Sequence, residues 1–188
     1  MAEQAAPEHV TPEQFFEELL PAGFAAQKEG GAAVPQDFSM QYHVIGDGGG
    51  DWHVSIKDGA LTTKKGKDDA ALTFTLAIAD FLDAIMSRNG AAPALLLPAS
   101  RPGRPDNSGR AKMLKGTISQ ELSREGEPFK LEMTFNGAVT PRTILKMKLA
   151  DFVAMQEGKL NGQEAFMTGR LRIEGDMAFM MQVAALTA

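Results

Sequence analysis

Three histidines are the only side chains in this sequence whose ordinary pKa lies near neutrality, and there is no cysteine. His9 sits in "MAEQAAPEHV", an acidic, small-residue stretch that reads as disordered. His43 and His53 sit in "FSMQYHVI" and "DWHVSIKDG", two runs that alternate apolar and polar residues as half-buried strands do. The alternation sends both histidines to the face opposite Trp52, Val54 and Ile56. On neighbouring strands they approach closely enough to share a metal ion. No third ligand stands at a fixed spacing, however, unlike the paired histidines of H-E-x-x-H. Asp68 and Asp69 belong to "KKGKDD", a charged turn. There is no G-x-S-x-G elbow. The glycine-rich "GDGGGD" at 46–51 lacks the G-K-[ST] ending of a phosphate loop and leads into a strand, so it reads as a hairpin turn. No catalytic residue, metal site or cofactor site is expected, and the chain is not expected to be an enzyme.

What remains is apolar chemistry. Residues 176–186 read "DMAFMMQVAAL". Asp176 has the position of a helix N-cap, and Met177, Met180, Met181 and Ala184 recur at i, i+3, i+4 and i+7. The other side carries Phe179, Val183 and Leu186, so both faces of this helix are expected to be buried. A second chemistry is cationic. From Arg101 to Lys115, "RPGRPDNSGRAKMLK" sets Arg101, Arg104, Arg110, Lys112 and Lys115 against a single Asp106. Its composition is that of a solvated loop, and its charge suits phosphate or anionic headgroups, which leaves room for transient contact with a membrane surface.

These residues need elements to position them. The chain of 188 residues is long enough for one domain with a full core. Its formal charge of −5 argues against broad nucleic-acid binding. No run of about 18 apolar residues is present, and the N-terminal stretch is neither basic nor followed by an apolar run, so a cytoplasmic setting is expected. "TPEQFFEELLPAGF" predicts a helix with Thr11 as cap, Pro12 at its first position and an apolar stripe of Phe15, Phe16, Leu19 and Leu20. Further strands are predicted at "LTFTLA", "GTISQEL", "PFKLEMTF", "RTILKMKLA" and "RLRIEG", and helices at "IADFLDAIMSRNG" and "DFVAMQEGKLNG". The Pro-rich run 91–109 breaks all periodicity. "TLAIADFLDAIMSRNG" (75–90) echoes "KMKLADFVAMQEGKLNG" (146–162), each a strand running into Ala-Asp-Phe, a short helix and a glycine.

The segment "ADFVAMQEGKLNGQEAFMTGRLRIEGDMAFMMQVAAL" (150–186) resembles the C-terminal signature of the sterol carrier protein 2 (SCP2) sterol-binding domain family. Ala150-Asp151-Phe152, "GKLN", "AFMTGRLRIEGDM" and a methionine-rich last helix occur in the family's order. The resemblance implies an α+β fold: a mixed sheet of five or more strands with helices on one face enclosing a hydrophobic tunnel. Residues 1–10 read as a disordered arm, and the resemblance implies one lipid-binding domain at 11–188. An extra hairpin and the 91–109 loop mark either an insertion or a degenerate duplication. The implied activity is non-catalytic binding and transfer of sterol, fatty acid or fatty acyl-CoA. The alternative is an accessory module presenting a hydrophobic substrate to a lipid-metabolising enzyme partner. The implied wall is Met177, Met180, Met181, Phe166, Phe152, Trp52, Val54 and Ile56. Arg101, Arg104 and Arg110 would form a basic mouth for a carboxylate or a CoA phosphate. Methionine suits such a wall because its unbranched side chain adapts to ligands of varied shape.

Overall fold

A computed structural model of the chain describes residues 10–29, 37–91, 96 and 108–187. The first nine residues of the expected disordered arm, Arg101 and Arg104 lie outside the described residues. Val10, the last residue of that arm, is buried. Among the described residues no helix is long and apolar enough to cross a membrane.

The chain opens with α1 (Pro12–Gln14), a π-helical segment (Phe15–Leu19) and α2 (Leu20–Glu29) in unbroken succession. Its start is a capping box: the Thr11 hydroxyl accepts from Gln14 N at 3.2 Å, while Thr11 N donates to Gln14 Oε1 at 3.1 Å. The π-helical segment runs up to Pro21, which has no N–H to give back to Glu17. Phe15 and Phe16 are buried as the apolar stripe requires, but Leu19 is exposed. An i→i+5 turn is wider than the 3.6-residue period behind that stripe, and it rotates Leu19 outward.

Among the described residues eight strands follow: β1 (Phe38–Ile45), β2 (Gly50–Lys57), β3 (Ala60–Lys65), β4 (Leu72–Ala77), β5 (Gly116–Ser123), β6 (Phe129–Phe135), β7 (Arg142–Lys148) and β8 (Arg172–Gly175). They form one mixed sheet in the order β3-β2-β1-β4-β6-β5-β7-β8. β1 runs parallel to β4 and β5 parallel to β7, and every other pair is antiparallel. The remaining helices among the described residues are α3 (Ile78–Ile85), α4 (Ser108–Ala111), α5 (Leu149–Gln156), α6 (Gly162–Met167) and α7 (Met177–Thr187). The chain therefore has the α+β class expected of it.

The register makes one face of the sheet largely apolar from β2 to β8. One row runs Trp52–Tyr42–Phe74–Met133–Ile118–Thr143. The next runs Val44–Leu76–Leu131–Gln120–Leu145–Ile173. Phe16, Phe81 of α3 and Phe179 of α7 all pack on this face. The opposite face carries Ser39, Gln41, His43, Ser55, Thr73, Thr75, Thr134, Ser119 and Lys146, as period-2 alternation demands.

The echo at Ala-Asp-Phe has a structural counterpart. In each half a hairpin (β1–β2, β5–β6) precedes a strand parallel to its first member (β4, β7). That strand runs directly into a helix beginning Ile78-Ala79-Asp80-Phe81 or Leu149-Ala150-Asp151-Phe152. The halves join through antiparallel β4 and β6.

Candidate ligand-binding site

The helix-covered face has a first region over β1, β2 and β4 and a second over β5 to β8, joined in one core. Over the first half, Phe16 stacks on Trp52 with ring centroids 5.2 Å apart and on Phe81 at 5.5 Å, and it meets Tyr42 at 4.9 Å. Tyr42 stacks in turn on Phe74 at 5.0 Å. The Tyr42 hydroxyl donates to the Leu96 carbonyl at 2.8 Å, and burial pushes this phenol above its ordinary pKa. These contacts fill the space over β1, β2 and β4 with aromatic rings.

Over the second half lie α5 and α7. Lys148, the last residue of β7, leads straight into α5, which buries Leu149 and Phe152 and packs on β5 and β7. α7 is set by its first turn. The Asp176 carboxylate accepts from Phe179 N at 2.8 Å, confirming the expected N-cap. The Asp176 carbonyl accepts from the buried Thr143 hydroxyl at 2.7 Å, and Asp176 N donates to Arg142 O at 3.0 Å. Phe179 then lies directly over Gly116 and meets the Phe135 ring edge-on at 6.1 Å. A Cβ on Gly116 would stand 2.7 Å from the Phe179 ring and 2.7 Å from Pro141 O, and Gly116 has φ +141°. Gly116→Ala is therefore expected to lower the midpoint of thermal unfolding by several degrees, about 2 kcal/mol, measured by circular dichroism. An unchanged midpoint would contradict this seating of α7.

The residues singled out in the sequence are not brought to one wall. Trp52, Val54 and Ile56 are buried, but on β2, four strands from β5, or about 19 Å at the usual strand spacing. They belong to the aromatic region under Phe16. Phe152 is buried in the second region, and Met180 is half-buried against the core there. Met177 and Met181 are 45% and 66% exposed, and Phe166, on α6, is 50% exposed. The expectation that α7 is buried on both faces is thus corrected. Phe179 and Val183, one turn apart, seat it with Met180 and Leu186 at the margins, while the Met177–Met181 edge faces solvent. Arg110 is exposed on α4, which packs against α7.

His43 and His53 stay on the polar face. His43 Nδ1 lies 2.7 Å from Asp51 Oδ1, and His53 Nε2 lies 3.2 Å from the Asp69 carbonyl. They do not converge beneath the helices. An open surface depression is lined by Asn161, Gln163, Glu164, Met167 and Thr168, all from α6 and its flanks.

The C-terminal elements decide the comparison with known proteins. Residues 98–188 match the SCP-2 sterol transfer family. The SCP-2 segment holds α4, β5 to β8, α5, α6 and α7, the second region entire. No curated protein matches the chain. Among solved structures, the chain is similar to the sterol carrier protein domain 2 of Helicoverpa armigera, with 16% identity over 96% of this chain and 91% of that one, at a TM-score of 0.28. It is also similar to a conserved hypothetical protein from Thermus thermophilus, described as possibly a sterol carrier protein, with 10% identity over 96% and 87% at 0.28. The stereoselective inverting sec-alkylsulfatase Pisa1 from Pseudomonas sp. matches at 16% identity over 94% of this chain, at 0.28. The chain spans 16% of that sulfatase's length. At these TM-scores the likenesses add nothing to what the SCP-2 segment says.

Proposed function

We propose that this protein binds and transfers a hydrophobic ligand, a sterol, fatty acid or fatty acyl-CoA, in the layer between α5, α7 and strands β5 to β8. The observation that carries this reading is the SCP-2 match, which falls on the segment that builds that layer. The composition of α7 supports it: Met177–Thr187 holds no charged residue and attaches to the sheet mainly through Phe179 and Val183. Parted from the sheet, this helix offers apolar surface on both sides of the gap, and a bound ligand replaces the contacts that Phe179 and Val183 give up. In this reading Met180 and Phe152 line the ligand, and Met177 and Met181 form its outer lip. Arg110 is the described member of the basic mouth. Trp52, Val54 and Ile56 hold the first half rigid.

The energetics are sufficient. A tail of ~16 carbons gains about 13 kcal/mol on burial at about 0.8 kcal/mol per CH2. Subtracting about 5 kcal/mol for association leaves binding near 1 μM.

We also read the two hairpin-and-parallel-strand units as a degenerate duplication, supported by the shared Ala-Asp-Phe junction. A second reading, an accessory module that hands a hydrophobic substrate to a lipid-metabolising enzyme, draws on the exposed Met113, Phe166, Met167, Met177 and Met181.

Native mass spectrometry of freshly purified protein, followed by lipid extraction, separates the two. The carrier reading expects a lipid bound stoichiometrically; bare protein that takes up no fluorescent fatty acid would leave only the module. Met180→Asp is expected to weaken uptake of that fatty acid at least tenfold, whereas Met167→Asp on α6 leaves it unchanged. Equal uptake by a folded Met180→Asp variant would remove Met180 from the wall.

A further inference from the structure

Two buried polar side chains, Thr143 and Gln120, interrupt the apolar rows of the second half. Gln120, on β5, is paired with Leu131 on one side and Leu145 on the other. It therefore stands in the row Val44–Leu76–Leu131–Gln120–Leu145–Ile173, on the face that the helices cover. Gln120 is 5% exposed, and its Oε1 is buried without a hydrogen-bond partner. Along β5 it lies between Gly116, where Phe179 of α7 is seated, and Ser123, which pairs with Lys148 at the start of α5. The orphaned oxygen thus sits on the stretch of sheet between the footprints of the two helices.

A buried glutamine with a purely structural task looks different in this same molecule. Gln41, on the polar face of β1, is as deeply buried. Its Nε2 donates to the carbonyls of Tyr42 and Gly66 at 3.3 and 3.2 Å, and its Oε1 accepts from Asp68 N at 3.1 Å. Gln41 ties the β3–β4 connection to the sheet. Gln120 Oε1 ties nothing. Leaving an amide oxygen buried and unpaired destabilises the fold, a cost that leucine at this position would avoid. Among the described residues a second orphan, Trp52 Nε1, belongs to the ring on which Phe16 stacks in the first half, outside the SCP-2 segment.

We infer that Gln120 is the polar reader of the hydrophobic ligand, its Oε1 accepting from a hydroxyl, so that the site favours neutral hydroxyl-bearing lipids over ionised carboxylates. This rests on the binding layer proposed above and names the ligand class it takes. A lipid alcohol brings the one donor that the oxygen lacks, on a molecule whose remainder matches the leucines beside it. A carboxylate brings only acceptors, which leave Oε1 unpaired even where the amide Nε2 donates to them, and it carries its charge into the layer. The flanking residues in the row, Leu131 and Leu145, hold no cation to offset its charge. The Thr143 hydroxyl, a diagonal neighbour, already donates to Asp176 O.

The test is displacement of N-phenyl-1-naphthylamine, a neutral apolar dye, from the full chain. Tetradecanol, methyl tetradecanoate and tetradecanoate at pH 8 are the competitors, with wild type, Gln120→Leu and Gln120→Met side by side. Wild type is expected to prefer the alcohol over both others by about tenfold, a ratio worth about 1.4 kcal/mol. Gln120→Leu is expected to lose that preference, keep the dye and unfold at the same or a higher temperature. A glutamine needed for folding would instead lower the unfolding temperature and leave the ratio alone. Should Gln120→Leu fail to fold, Gln120→Met and the wild-type ratio decide. Displacement by all three competitors equally, or an alcohol preference surviving in Gln120→Met, overturns the role of Gln120 while leaving the binding layer standing. No displacement by any lipid overturns both.

Discussion

Asp80→Ala is expected to destabilise the protein by about 3–5 kcal/mol, the range found when one partner of a buried ion pair is removed. Asp80 stands in the first turn of α3, in the first half of the chain, yet its partners come from the second. Its Oδ1 accepts from Arg124 at 2.7 Å and its Oδ2 from Lys130 N at 3.1 Å. Arg124 also donates to Asp83 Oδ2 at 2.8 Å and through Nε to the Glu127 carbonyl at 2.9 Å. Its guanidinium lies over the Phe129 ring, 5.6 Å from the centroid. All three charged side chains are largely buried. The group clips α3 to the turn between β5 and β6, across the junction of the two halves. Alanine would strand the Lys130 N–H and half of the Arg124 fork inside the protein.

Asp80→Asn separates hydrogen bonding from charge. It keeps an acceptor for Lys130 N, so chemical denaturation is expected to show a smaller loss than for alanine. Burial holds the Asp80 carboxyl above its ordinary pKa, against the opposing pull of the Lys130 N–H and the Arg124 guanidinium. The folded protein therefore takes up this proton before the unfolded chain does. The contribution of this titration is greatest below the ordinary carboxylate value and declines as pH rises through the raised one. The stability of Asp80→Asn relative to wild type is accordingly expected to improve across that rise. A difference independent of pH, or an alanine variant as stable as wild type, contradicts the clip.

The second large effect falls on α7. Phe179→Ala is expected to cost about 3–4 kcal/mol, the usual loss on truncating a fully buried phenylalanine. The ring fills the space above Gly116 and meets Phe135, and it is the main anchor of a helix with one side in water. Because the Asp176 cap and its bond from Thr143 remain, the loss should concentrate in α7. Hydrogen exchange of the α7 amides is expected to speed up by at least a hundredfold, while β1 and β4 keep their protection. Uptake of a fluorescent fatty acid should fall with it, since the helix then no longer closes the layer. Uniform loosening of the whole sheet would mean that α7 is a global support rather than a separable cover.

Much of this architecture is legible in the sequence. Strands β1, β2, β4, β5, β6 and β7 are readable because period-2 alternation is strong where one face is buried and the other wet. That alternation also places His43 and His53 away from Trp52. β3 was not legible: "ALTTKK" carries one large apolar residue, Leu61, and lies at the sheet edge where little is buried. α6 is six residues long and too short to show a period, although Asn161, whose Oδ1 accepts from Gln163 N at 2.8 Å, is a cap signal in plain view.

The site was legible in composition but not in geometry. An apolar helix with no polar side carries no mark of which stripe is buried, and the methionines drew attention from Phe179, the residue that seats it. Trp52 and Phe152 both read as inward-facing, but nothing in a linear pattern says that β4 and β6 stand between them. Gln120 is readable as a polar residue at an apolar position, flanked at i−2 and i+2 by Ile118 and Leu122. Only the register shows how deeply it is enclosed.

The claim that everything else depends on is that an apolar molecule enters beneath α7. Photocrosslinking with a fatty alcohol carrying a diazirine in its tail, followed by peptide mapping of the full chain, tests it most directly. Adducts on α5, α7 and the inner face of β5 and β7, at one per protein and competed away by unlabelled alcohol, are the expected result. Adducts confined to exposed side chains such as Met113 and Met167, or none that an unlabelled lipid displaces, would contradict it.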